Sequence, residues 1–149
     1  PPLGRQGLID EGAATWLGGS RGRSYAQLLP FLVRIQNENP VLPFARVNEL
    51  SDEDRDIAFY STGALLVDAV YRANGMRGVR RLLSAGRADA ELYAVLSETI
   101  GVTQAGFDAW WRAEAPRRAA EPPRPFWPQP NQRMKLPARR PLERPANEE

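Results

Sequence analysis

Apolar positions recur at helical spacing through residues 1–115, and glycine and proline cut them into short segments. Leu8 to Leu17 predicts a first helix, stopped by Gly18-Gly19. Ser24-Tyr25-Ala26-Gln27 has the form of a capping box and opens a second helix toward Gln36. Pro30 falls inside that helix, and either kinks it or marks its true start. Pro40 to Asn48 reads as a connector whose Leu42 and Phe44 dock on the core. Ser51-Asp52-Glu53-Asp54 then caps the longest helix, Asp52 to Asn74, with acidic residues at its positive end. Ile57, Ala64, Val67 and Tyr71 form its stripe, widened by Leu65, Leu66 and Val70. Only Ser61, Thr62, Asp68 and Arg72 interrupt the apolar run from Ile57 to Ala73, so this helix is expected to be central and mostly buried.

Gly75 ends that helix, and Gly78 to Ser84 predicts a short one with an exposed arginine face at Arg80-Arg81. Asp89 is expected to cap Ala90 to Ile100, which Gly101 stops; Thr103 is expected to cap a last helix carrying Phe107, Trp110 and Trp111. Of the two tryptophans, one ring is expected in the core and the other partly exposed. No β-alternation and no internal repeat is visible. The fold class is therefore mainly α, a compact bundle of five to six helices over residues 1–115. The longest apolar stretch is too short and too interrupted for a membrane span, which needs about 20 apolar residues.

Charge changes the picture at the C-terminal end. Residues 1–115 carry 12 arginines against 14 carboxylates, whereas residues 116–149 carry 8 cations against 4 glutamates. Nine of the 14 prolines also lie in that last stretch. Proline fixes φ and lacks the amide donor, so a run such as Pro122-Pro123-Arg124-Pro125 resists helix and central strand alike. Residues 116–149 are expected to form a Pro/Arg-rich, largely disordered tail.

Composition narrows the chemistry further. The chain has no cysteine and no histidine. That excludes a disulfide framework, a thiolate metal site and a Ser-His triad within these residues. P-loop, dinucleotide-binding, EF-hand and nucleophile-elbow motifs are also absent. The non-Met start at Pro1 predicts a processed chain or a piece of a longer one, which leaves localisation open.

Two local patterns could carry chemistry. In Ile9-Asp10-Glu11-Gly12-Ala13-Ala14 a carboxylate stands beside small residues, which let another helix approach and leave room for a metal ion supplied with ligands from elsewhere. In Tyr60-Ser61-Thr62-Gly63-Ala64 a phenol could donate a hydrogen bond to a developing oxyanion. Taken alone, an exposed or salt-bridged carboxylate is the simpler reading of Glu11, and a core tyrosine the simpler reading of Tyr60.

Together, Glu11-Gly12-Ala13 with Trp16, Tyr60-Ser61-Thr62-Gly63-Ala64 on a long helix, and Gly101-Val102-Thr103 leading to Phe107 and Trp110 resemble the C-terminal half of a gluzincin metallopeptidase, in particular the peptidase-MA-like family. The resemblance spans roughly residues 3–115. It implies peptide-bond hydrolysis at a zinc ion, with Glu11 as third ligand and Tyr60 as the residue steadying the tetrahedral intermediate. The two zinc histidines and the glutamate base would come from an HExxH segment outside this chain, so the chain alone is expected to be inactive and not to hold zinc tightly. Tyr60 and Gly63-Ala64 match the tyrosine motif Y-x-K-G-A of the more distantly similar zinc aminopeptidases, whereas Thr62 stands where that motif has lysine.

Rival readings rest on the tail. Pro125-Phe126-Trp127-Pro128 with Arg124 has the PxxP form that docks in aromatic grooves of protein partners. Arg117-Arg118 and the basic positions from Arg133 to Arg144, interleaved with aromatic residues, could contact nucleic acid. The modest positive charge and the slightly acidic folded part make nucleic acid the weaker partner. In this alternative the protein is a non-catalytic helical interaction module.

Overall fold

A computed structural model describes residues 5–85 and 88–122. Its elements are α1 (Arg5–Gly18), α2 (Tyr25–Glu38), a 3₁₀ turn (Phe44–Glu49), α3 (Asp52–Leu83), α4 (Asp89–Ile100) and α5 (Phe107–Ala119). No strand occurs among the described residues, so the mainly α expectation holds.

Several boundaries form by the chemistry expected of them. The capping box is complete: Ser24 Oγ accepts from the Gln27 amide at 3.2 Å, and Gln27 Oε1 accepts from the Ser24 amide at 2.8 Å. Pro30 sits within α2 on its exposed face, where the carbonyl left without an amide partner is close to water. Ser51 Oγ caps α3 through the Asp54 amide at 3.3 Å. The break expected at Gly75 is a kink inside α3: Gly75 takes φ 61°, a conformation that costs a side-chain-bearing residue. Beyond it Val79 and Leu82 turn inward and Arg80 and Arg81 face water. Gly101, at φ 70°, closes α4, and the Val102 amide returns to the Leu96 carbonyl at 3.3 Å as the chain turns its buried Val102 inward.

Three boundaries differ from expectation. Ala88, not Asp89, takes the cap position of α4, and Asp89 lies in the first turn, where its charge still favours the helix end. Thr103 does not cap α5. Its Oγ1 accepts from the Gly106 amide at 3.1 Å and closes the turn that precedes the helix. Finally, α5 runs through Pro116 to Ala119, so the first four residues assigned to the extended tail are helical. Arg118 binds Glu114 one turn back at 2.6 Å, and two ion pairs hold the last turn against α3: Arg118 with Asp68 at 3.9 Å and Glu121 with Arg72 at 2.7 Å. Of the rest of the expected tail, residues 120–122 are described and residues 123–149 lie outside the described residues.

Helix α3 is the axis of the fold, and all residues from Ser61 to Val70 are buried. Helix α2 runs opposite to it, with Arg34 on Asp54 at 2.8 Å and Tyr25 Oη on Asp68 at 3.3 Å. Helix α5 runs alongside it in the same sense, from the Trp111–Thr62 contact to the Glu121–Arg72 pair. Helix α1 crosses α3 at Gly12 and Gly63. A methyl added to Gly12 would lie 2.2 Å from the Gly63 carbonyl carbon, and one added to Gly63 would lie 2.2 Å from the Leu8 carbonyl oxygen. The two backbones touch, and only glycine permits it. Trp16 then packs its ring on Tyr71 with centroids 5.1 Å apart. Among the described residues no helix is long and apolar enough to cross a membrane.

Candidate functional site

Both sequence-marked residues sit beside this crossing. Glu11 precedes Gly12 on α1, and Tyr60 lies about one turn before Gly63 on α3. The Glu11 side chain is exposed and has no hydrogen-bond or ion-pair partner among the described residues. Tyr60 is half-buried, with its ring edge-on to Phe59 at 5.8 Å. It lines a narrow recess of about 20 Å³ together with Arg21, Arg23, Leu28 and Asp56. Glu11 does not line that recess; the contact of their two helices at Gly12 and Gly63 is what relates the pair.

The residues after Tyr60 are used internally. Ser61 is fully buried and returns its hydroxyl to the Ile57 carbonyl. Thr62 is fully buried and accepts from the Trp111 indole at 2.8 Å. Gly63 provides the crossing. Tyr60 is therefore the one side chain of the motif from 60 to 63 that reaches a surface.

Among the described residues, no three His, Cys, Asp or Glu side chains gather closely enough to hold a metal ion. A catalytic zinc takes about three protein ligands. Glu11 can be one of them, and the carboxylate is of the right kind, but the others would have to come from outside these residues.

A second, larger cavity of about 360 Å³ opens where α1, the 3₁₀ turn, α3, α4 and the start of α5 converge. Phe44, Phe59, Tyr93 and Phe107 line it, with Asp108 at its wall. The Asp108 carboxylate accepts from the Phe44 amide at 2.8 Å and so ties the 3₁₀ turn to α5, giving Phe44 the docked position expected of it.

A third cluster was marked in the sequence only by Asp68 interrupting an apolar run. Asp68 and Glu114 are both buried carboxylates, on α3 and α5. Arg118 lies 2.6 Å from Glu114 and 3.9 Å from Asp68, and Arg72 reaches Asp68 at 3.1 Å. Burial, followed by the neighbouring Asp68 carboxylate, raises the Tyr25 phenol far above the ordinary tyrosine range. The i,i+4 spacings Asp68–Arg72 and Glu114–Arg118 were the available signal for this cluster. Arg117 and Arg118 both bind Glu114, Arg118 from within the cluster and Arg117 from its exposed side. Nearby, Arg112 closes the end of α2, donating to the carbonyls of Gln36, Asn39 and Leu42 at 3.2, 2.9 and 2.5 Å. The PxxP segment and the arginines from Arg124 onward lie outside the described residues.

No protein-family model, curated protein or solved structure matches this chain.

Proposed function

We propose that this chain is the helical C-terminal part of a zinc-dependent, gluzincin-type peptidase, with Glu11 as the third zinc ligand and Tyr60 as donor to the tetrahedral intermediate. The HExxH segment comes from outside the chain, and the substrate is a peptide or protein. The observation that supports this reading is the Gly12–Gly63 contact. It seats the helix of Glu11 directly on the helix of Tyr60, with no side chain between them to repack.

Zinc, when bound, supplies a Lewis acid and lowers the pKa of its water toward about 7. The chain's own residues do the positioning. Glu11 offers a carboxylate that no described residue already holds, so a ligand role breaks no existing bond. Tyr60 keeps a half-exposed phenol as donor, and its backbone is fixed by the buried Ser61, Thr62 and Gly63 that follow. A preorganised donor of this kind is worth about a hundredfold in turnover.

Kinetics of the full-length protein on a peptide substrate test the reading. Tyr60→Phe is expected to lower kcat by about a hundredfold with little change in KM. Turnover equal to that of the parent protein would remove Tyr60 from the chemistry.

A further inference from the structure

The larger cavity is lined mainly by aromatic and aliphatic side chains. Phe44, Tyr93 and Phe107 share its wall, with ring centroids 5.5 Å apart for Phe44–Phe107 and 6.2 Å for Tyr93–Phe107. The rings are tilted by 51° for Phe44–Phe107 and 80° for Tyr93–Phe107, so they do not stack into one flat surface. Phe59 and Leu96 continue the apolar lining. Into this wall the first turn of α5 sets Asp108, a position where the helix favours negative charge.

Asp108 is held but not neutralised. One carboxylate oxygen is fixed by the Phe44 amide at 2.8 Å, and no cation among the described residues pairs with the group. Arg112 on the same helix donates to the carbonyls at the end of α2, and Arg46 on the 3₁₀ turn pairs with Glu49 at 2.6 Å. A carboxylate without a counter-ion, fixed among mutually tilted aromatic rings, is the arrangement that attracts an organic cation. The carboxylate supplies charge and the ring quadrupoles add to it. The volume, about 360 Å³, falls within the range of small-molecule sites, roughly 300–1,000 Å³.

We propose that this cavity binds an alkylammonium: a cationic nitrogen against Asp108 and the rings of Phe44, Tyr93 and Phe107, with its apolar body along Phe59 and Leu96. The site includes neither Glu11 nor Tyr60, and it stands or falls without zinc or turnover.

The test is a binding titration of the full chain with hexylammonium, and with hexanol as its neutral counterpart, followed by calorimetry and by NMR shifts at Phe44, Tyr93 and Phe107. Hexylammonium is expected to bind at least about tenfold tighter than hexanol, with the shifts confined to those rings and their neighbours. Asp108→Asn keeps an acceptor for the Phe44 amide but removes the charge, and is expected to abolish the preference. Equal affinity of the two probes for the unaltered chain overturns the proposal, as does an unchanged preference in Asp108→Asn. So does an absence of shifts at these rings up to about 10 mM probe, where even weak sites fill. Should Asp108→Asn lose its helical structure, the comparison of the two probes on the unaltered chain still decides.

Discussion

Two seams meet on α3, and they are built from opposite materials. The seam with α1 is made by omission: Gly12 and Gly63 lack side chains, so the two backbones touch. The seam with α5 is made by polar groups placed deep in the interior. Trp111 donates to Thr62 at 2.8 Å, and Asp68, Glu114 and Arg118 form a buried charge cluster. The first fixes position through shape and tolerates no added atom. The second fixes it through hydrogen bonds and tolerates no missing partner. Glu11 and Tyr60 lie beside the first seam, and the buried carboxylates Asp68 and Glu114 lie in the second.

The largest effect that would sharpen this contrast is expected at Gly63. Gly63→Ala puts a methyl 2.2 Å from a backbone oxygen that cannot swing aside, and should lower unfolding free energy by about 3 kcal/mol or more. Gly7→Ala, in the same helix α1 but with nothing within 4 Å, should instead raise it by about 0.5–1 kcal/mol. Urea unfolding of both variants measures the difference. Equal effects would mean that the crossing is loose.

Next comes the charge cluster. Arg118→Met leaves Asp68 and Glu114 buried without their shared cation and should cost about 3 kcal/mol. A loss below about 0.5 kcal/mol, the range of exposed ion pairs, would show that water already screens the cluster.

The smallest expected effect is one of pH. A Tyr25 phenol whose pKa is raised in the folded state keeps its proton there while the unfolded chain loses it near the ordinary value of 10.0. Its contribution to stability is therefore complete below that pH and declines above it. Thermal melts from neutral pH to about pH 11 should show a steeper decline for the unaltered chain than for Tyr25→Phe. Parallel declines would place the phenol in water.

How much of this was legible in the sequence follows from the kind of force at each place. The helix order, the capping box at Ser24 and the break at Gly75 rest on neighbours in sequence and were readable from it. So was the division of labour between Trp110 and Trp111, the second of which is 1% exposed. Glu11-Gly12-Ala13 announced a close helix approach but not which helix it meets, because Gly63 is about fifty residues away. The continuation of α5 through Pro116 was hidden for the same reason. A proline-based boundary cannot foresee Arg118 gripping Glu114, nor Glu121 reaching Arg72 at 2.7 Å. Asp68 showed in the sequence as a lone charge in an apolar run, but its partner carboxylate Glu114 gave no sign of burial. Asp108 was invisible as a site residue, since only the folded chain brings it to the rings of Phe44 and Tyr93.

The central functional claim concerns one carboxylate, and zinc content decides it most directly. Full-length protein carrying Glu11→Ala should lose its bound zinc, while the neighbouring Asp10→Ala, changed on the same exposed stretch of α1, should retain one ion per chain. Equal zinc in both variants, or no zinc in the unaltered protein, would contradict the claim.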